Sequence, residues 1–426
     1  MPAPVSEPPR VWLEHPNQQM SNVGDLAMLM MDVERTRVLY PEAVIQVPSR
    51  ATEWIRQFCP AAIRITASGL YHLAWRGLLP ERLARIPSFY AVERRLILAN
   101  TWRYLRLVDW RNRVRGQRDP HSALELAALA RSRAVIACGG GYLNDAFAGA
   151  ASRCSKVLLA AQSRGIPTAL MGQGLGPVEN ETTRELVLAA LKRSRFVGLR
   201  EGRGGPVLTE AAGVPSERMR VTGDGAIDLA ARERRDALGD CIGFNVRVAS
   251  YAQTESSGFG RLAEIVCAEA RARQATVVPC PIHFGHTAPD EPIARTLLGD
   301  RATVVPDPCP FDPMEVIRRV GRCRVVVTGS YHAAVFALAQ GIPAITLVGS
   351  RYYDFKFRGL ADLFGDAIEV IALDDADAGE RLQAALPRFW LAAESLRAPC
   401  LEAADRQRDW TREAWTQLRE RLRQRL

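Results

Sequence analysis

The sequence predicts an α/β protein built from two facing Rossmann-like halves and a C-terminal helical tail. Three observations carry that prediction. Short apolar runs alternate with helical stretches along most of the chain, many of the apolar runs end in glycine-containing turns, and the alternation stops and restarts around a charged run at 232–240. Length and composition agree: 426 residues give room for two to three domains, and 47% apolar with 24% charged residues excludes disordered, collagen-like and disulfide-scaffold chains.

In order, residues 11–13 read as a strand, Asn22-Val23-Gly24-Asp25 as a tight loop, and 26–33 as the start of a helix. The unit recurs where 134–138 runs into Gly139-Gly140-Gly141, where 168–171 runs into Gly172-Gln173-Gly174-Leu175-Gly176-Pro177, and where 196–199 runs into Arg200. Helices are expected over 124–131, 151–164 and 182–193, and 219–221 is the last strand of this half. A second alternation follows, with strands at 242–248, 276–280, 302–305, 324–328 and 344–348 and helices at 259–273, 290–298, 312–320 and 332–340. Alternation of this kind implies parallel sheets covered by helices on both faces. The expected units are 11–231 and 241–379, with an amphipathic helical tail over 380–426 that ends in arginines.

The nine cysteines are odd in number and scattered without a Cys-x-x-Cys pair, so reduced, buried thiols are expected, with neither a disulfide framework nor a zinc site. The first ten residues lack a secretory pattern, and the most apolar long window, 331–349, is broken by Gln340 and Gly341-Ile342-Pro343. A cytoplasmic protein without a membrane-spanning helix is therefore expected. Net charge is +9, and the excess is concentrated in 75–118, where eleven arginines face three acids among Trp75, Phe89, Tyr90, Trp102, Tyr104 and Trp110. Such a stretch fits either peripheral contact with the anionic inner face of a membrane or amphipathic helices with a solvated arginine face. Nucleic acid is not an expected partner, because no recognition module is present.

Functional residues are sought at the carboxyl ends of strands, where open α/β sheets bind ligands. The Gly139–Gly141 run permits a close backbone approach to an anion or sugar, yet matches neither a Walker loop nor a dinucleotide fingerprint, and a plain strand-to-helix turn explains it as well. Thr328-Gly329-Ser330-Tyr331-His332 ends a buried strand and opens a helix, which places His332 to donate or accept a proton; a structural histidine is the alternative. Arg200 and Arg247 follow strands and are candidate anion clamps. His283 and His286 follow another strand; a loop or acceptor contact is favoured there over a metal.

Taken together, Asn22-Val23-Gly24-Asp25, Gly139 to Asp145, Gly172 to Pro177, Arg200, Asp224, Ser330-Tyr331-His332 with Gly341-Ile342-Pro343, and Lys356 form an ordered set from about Asn22 to Gly365. That set resembles the polysaccharide pyruvyl transferases. The resemblance implies an architecture similar to the GT-B glycosyltransferases and transfer of a pyruvyl ketal from phosphoenolpyruvate to sugar hydroxyls of a surface polysaccharide, with no metal or further cofactor. It implies His332 as general acid or base, with Gly24, Asp25, Gly140, Gly141, Gln173, Gly174, Arg200 and Lys356 binding substrate, and a sugar or lipid-linked oligosaccharide as acceptor; Arg247 and His283, read from their strand-end positions, and Ser330, at the departing position, are expected to bind substrate beside them. Two positions depart from the family: Ser330 and Gly204 stand where arginine and serine are usual. Lys356 or Arg351 is expected to supply the missing cation. A nucleotide-sugar glycosyltransferase and a non-catalytic glycan-precursor-binding relative are the alternatives.

Overall fold

Two parallel sheets form the frame. In the computed structural model the described residues are 7–15, 19–75, 77–79, 86–248 and 259–422; Arg76, Arg82 and Arg85 of the arginine-rich stretch and Arg423 and Arg425 of the basic tail lie outside them. The first half runs β1 (Arg10–Glu14), α1 (Val23–Leu39), β2 (Val44–Ser49), α2 (Thr52–Phe58), β3 (Ala62–Thr66), α3 (Gly69–Trp75), α4 (Pro87–Ala99), α5 (Thr101–Val114) and α6 (Ser122–Ala130). It continues β4 (Ala134–Ala137), β5 (Gly140–Leu143), α7 (Ala148–Gln162), β6 (Thr168–Leu175), α8 (Glu181–Arg193), β7 (Phe196–Leu199), α9 (Gly204–Ala211) and β8 (Met219–Val221). Strand order is β3-β2-β1-β4-β6-β7-β8, with β5 added on β6.

After α10 (Ile227–Ala231) the second half runs β9 (Cys241–Asn245), α11 (Phe259–Ala272), β10 (Val277–Pro279), α12 (Asp290–Leu298), α13 (Pro313–Val320), β11 (Cys323–Thr328) and α14 (Tyr331–Ala339). It closes with β12 (Ala344–Val348), α15 (Arg351–Phe364) and β13 (Ile368–Ala372), in the order β10-β9-β11-β12-β13. Its inner strands are continuous apolar runs, such as Val325-Val326-Val327 on β11, because helices cover both faces. Each sheet reverses its direction of growth once, between β1 and β4 and between β9 and β11.

The two halves share a core. One apolar cluster joins Val23, Ala27, Met28 and Met31 of α1 to Val316 and Ile317 of α13 and the whole buried helix α14. The last helix, α16 (Ala378–Leu422), ties them further. Leu382, Leu386 and Phe389 pack under the second sheet, Cys400 and Ala404 join the shared core, and Trp415 and Leu418 reach the first sheet. Its buried positions recur every three or four residues, as an amphipathic helix requires. All nine cysteines are free and buried. Among the described residues no helix is long and apolar enough to cross a membrane.

Three differences from the sequence reading have physical causes. The expected strand at 302–305 is only an isolated bridge, Val277 to Val304. The glycine runs are not free loops: residues 140–143 form β5, and β6 extends through Gly172-Gln173-Gly174 to Leu175. Gly172, at φ 61°, sits where the β6–β7 register shifts, so the glycine makes a bulge that lets the strand continue. β2, β3 and β13 were not anticipated, since β2 contains Pro48 and β3 and β13 are edge strands with broken burial patterns.

Candidate active site

Ligands of open α/β sheets bind where sheet growth reverses, and here both reversal points open on one cavity of about 310 Å³. The loop after β1 leads into α1, capped by Asn22, whose Oδ1 accepts from the N–H groups of Gly24 (2.9 Å) and Asp25 (3.1 Å). This segment also pairs with the second half: Val23 N–H donates to Ile282 O at 2.9 Å and Phe284 N–H to Ser21 O at 2.8 Å. Asp290, buried at the start of α12, holds the opposing segment. Its Oδ2 accepts from the N–H groups of Ile282 and His283 and from Asn245 Nδ2, each at 2.9 Å, while Oδ1 pairs with Arg247 Nη1 at 3.2 Å.

His332 enters from the first turn of α14, and Gly24 lies against it. A Cβ on Gly24 would stand 2.0 Å from the imidazole Cγ, so only glycine allows α1 to come this close. Behind the ring, Asp224 Oδ2 lies 3.6 Å from Nε2, an ion-pair distance slightly long for a hydrogen bond, and 3.4 Å from Arg200 Nη1. Burial alone would raise the Asp224 carboxyl, but His332, Arg200 and the Ala226 N–H outweigh it and hold the acid well below the usual carboxylate range. Asp224 is therefore a buried carboxylate facing the imidazole.

Cations gather on the other wall. Lys356 Nζ sits 4.3 Å from the centre of the Tyr331 ring and 5.5 Å from those of Tyr352 and Tyr353, and Arg200 Cζ lies 4.2 Å from the same Tyr331 ring. Gly141 and Gly174 leave room for Arg200: a Cβ there would stand 2.8 and 2.5 Å from its Nη2. Burial and the nearby Arg200 push the Lys356 ammonium well below its ordinary pKa, against the weaker pull of Asp25 and Asp224. No carboxylate among the described residues pairs with Lys356, and Arg200 Nε is buried without a hydrogen-bond partner among them. An anion entering the cavity would supply the missing negative charge.

Of the residues picked out from sequence, Asp25, Gly141, Arg247, His283, His332 and Lys356 line the cavity. Gly24, Gly140, Gln173, Gly174, Arg200 and Ser330 are buried behind or beside it. Gln173 points into the protein, donating from Nε2 to Cys138 O and to Tyr142 Oη, and Arg200 is only 1% exposed. Arg351 is corrected outright: its side chain is 79% exposed and pairs with Glu179 at 2.9 Å, so it cannot replace the arginine absent at Ser330. His283 is on the wall, lowered in pKa by burial and by Arg247, whereas His286 is exposed in the neighbouring opening. Among the described residues no group of three His, Cys, Asp or Glu side chains is placed to hold a metal. The sequence reading did not pick out Ser21, Phe147, Tyr352 and Tyr353 as wall residues; the two tyrosines lie on the same α15 turn that presents Lys356, which was the available signal.

Two facing Rossmann-like halves with the ligand cavity between them define the GT-B architecture, and solved structures of that fold align over nearly the whole chain. They include UDP-GlcNAc 2-epimerase from Neisseria meningitidis bound to UDP-GlcNAc (11% identity, 95% of this chain and 100% of that one, TM-score 0.51). MnaA from S. aureus with UDP (12%, 94% and 94%, 0.54) and MurG from Acinetobacter baumannii (12%, 95% and 100%, 0.51) are similar to the same extent. At these identities the likeness is one of fold. No curated protein matches the chain in sequence. The family is given by residues 77–351, which match the polysaccharide pyruvyl transferase family; the chain belongs to it.

The environment of Lys356 predicts coupled proton uptake. Its folded-state pKa is lowered, so in mildly alkaline buffer the free protein holds it less protonated than an unfolded chain does, and a bound anion would reverse this. Calorimetric titration with inorganic phosphate in buffers of different ionisation enthalpy should show proton uptake by the wild type. Lys356→Arg, which is always charged, should bind phosphate with markedly less uptake. Equal uptake in both proteins would refute the assignment.

Proposed function

We propose that the protein transfers the pyruvyl unit of phosphoenolpyruvate to two hydroxyls of a saccharide. Membership of the family supports the reaction class, and the observation that carries the donor is the cavity beside Lys356 and Arg247, small and bearing cations suited to a phosphate and a carboxylate. In this reading Lys356 and Arg247 hold the donor, and Arg200 adds positive potential from behind Gly141. These cations stand in for the arginine absent at Ser330.

His332 would act as the proton carrier. Protonation of the donor's methylene carbon makes its C2 electrophilic, a sugar hydroxyl adds there and loses its proton, and the C2–O bond to phosphate breaks. A second hydroxyl then closes the ketal. One hydroxyl proton balances the new methyl group and the other leaves with inorganic phosphate. Asp224, 3.6 Å from Nε2, stabilises the imidazolium during the transfer. Asp25, a carboxylate on the same wall, suits an acceptor hydroxyl better than a dianion. With phosphoenolpyruvate and a competent acceptor, His332→Gln should lower phosphate release by about 10²- to 10⁴-fold while calorimetric donor binding changes only a few-fold. Wild-type turnover in the variant would remove the role. The nucleotide-sugar reading draws on the UDP-GlcNAc bound by the Neisseria enzyme; it would replace this one if the wild type bound a nucleotide sugar and not phosphoenolpyruvate.

The acceptor in this reading is lipid-linked, and the protein works at the cytoplasmic face of a membrane. The support is on α4 and α5. Phe89, Val92 and Leu96 on α4, and Leu107, Trp110 (61% exposed) and Val114 (68% exposed) on α5, are exposed at the same i, i+3, i+7 spacing. Exposed Arg95, Arg103, Arg106 and Arg113 flank them. Apolar stripes bordered by arginine, with a tryptophan between, match an anionic lipid surface. In flotation assays the wild type should bind vesicles containing about 30% anionic lipid and release them at high salt. The triple variant Leu107→Ser, Trp110→Ser, Val114→Ser should stay unbound, and equal flotation of both proteins, or of neither, would contradict the membrane contact.

A further inference from the structure

A second opening, about 800 Å³, adjoins the cavity and shares Ser21 and His283 with its wall. Its floor is aromatic and comes from both halves. Trp54 of α2 lies 4.6 Å from Phe311, centre to centre, and Phe311 lies 5.3 Å from Phe284 in an edge-to-face arrangement. All three residues are half-buried and line the opening. Gln19, Ser21, Arg50 and Thr287 supply hydrogen-bonding groups around them, and no Asp or Glu lines the opening among the described residues.

We infer that this opening is the acceptor subsite and that Trp54, Phe284 and Phe311 form a platform for a pyranose ring. The inference rests on the pyruvyl-transfer reading for its purpose but not for its geometry. A saccharide hydroxyl must reach His332, and the inner cavity of about 310 Å³ is already needed for the donor. The larger opening meets the inner cavity at Ser21 and His283, so a sugar lying on the rings has a direct way in. The rings are inclined to one another, by 52° between Trp54 and Phe311 and 78° between Phe311 and Phe284, so one face takes the C–H face of a pyranose while the others wall it, and the polar rim suits its hydroxyls. Because Trp54 comes from the first half and Phe284 and Phe311 from the second, the platform exists only when the halves are packed as they are here. His283 stands at the junction and is placed to contact the acceptor rather than the donor phosphate.

The test uses p-nitrophenyl glucoside, galactoside, mannoside and N-acetylglucosaminide as probes, followed by saturation-transfer NMR, with phosphoenolpyruvate titrated separately by calorimetry. The expected result is that at least one probe binds the wild type, that Trp54→Phe keeps binding, and that Trp54→Ala and Phe311→Ala weaken it by about tenfold or more. Phosphoenolpyruvate affinity should be unchanged in all three variants, which also reports that they are folded. Binding of the probes by Trp54→Ala and Phe311→Ala at wild-type strength, or no probe binding to the wild type, would overturn the platform. Probe binding with the expected losses but no phosphoenolpyruvate binding in any protein would leave the platform standing and remove the donor reading instead.

Discussion

The contact between Gly24 and His332 is the constraint on which the site depends. It joins the N-terminus of a helix in one half to the first turn of a helix in the other, at a separation that excludes even a methyl group. The backbone pairing of Val23 with Ile282 and of Phe284 with Ser21 fixes the same junction from the side, and the shared apolar cluster under α1, α13 and α14 holds it from below. A surface of this kind is closely packed, so the two halves offer one preformed cavity rather than two separate faces.

Around that junction the charges are arranged in depth. Asp224 and Arg200 are both buried and paired, an arrangement that is costly to break by removing one member. Their placement leaves His332 facing a carboxylate on the inner side and the cavity on the other. Lys356 shares the Tyr331 ring with Arg200 and lies against two further tyrosine rings, with its charge opposed by Arg200 and without a paired carboxylate among the described residues. The free protein thus carries an electrostatic imbalance that an anionic ligand would relieve.

Much of this was legible in the sequence. The alternation of apolar strands and helices shows both parallel sheets, and the strand-end positions of His332, Arg247 and Lys356 point to the cavity. What was not legible depends on distance along the chain. Nothing local says that Gly24 meets His332 or that Trp54 meets Phe311, because each pair brings together residues far apart in sequence. The glycines of 139–141 and 172–174 read as ligand loops because loops and bulged strands use glycine for the same backbone freedom; the packing of Gly174 against Arg200 shows that several of them make room for a side chain. Arg351 and Lys356 look equivalent as strand-end cations, yet α15 presents one to solvent and the other to the cavity.

Turnover by Gly24→Ala reads most directly whether the junction of α1 and α14 positions the chemistry. A methyl group there would stand 2.0 Å from the imidazole Cγ, and the three atoms nearest to it all belong to His332, so the imidazole must shift. The expected variant is a folded protein that binds phosphoenolpyruvate within a few-fold of the wild type but releases phosphate about 10²-fold more slowly, as follows when a catalytic group is misplaced by an ångström. Wild-type phosphate release by a Gly24→Ala protein would show that the junction of α1 and α14 does not position the chemistry.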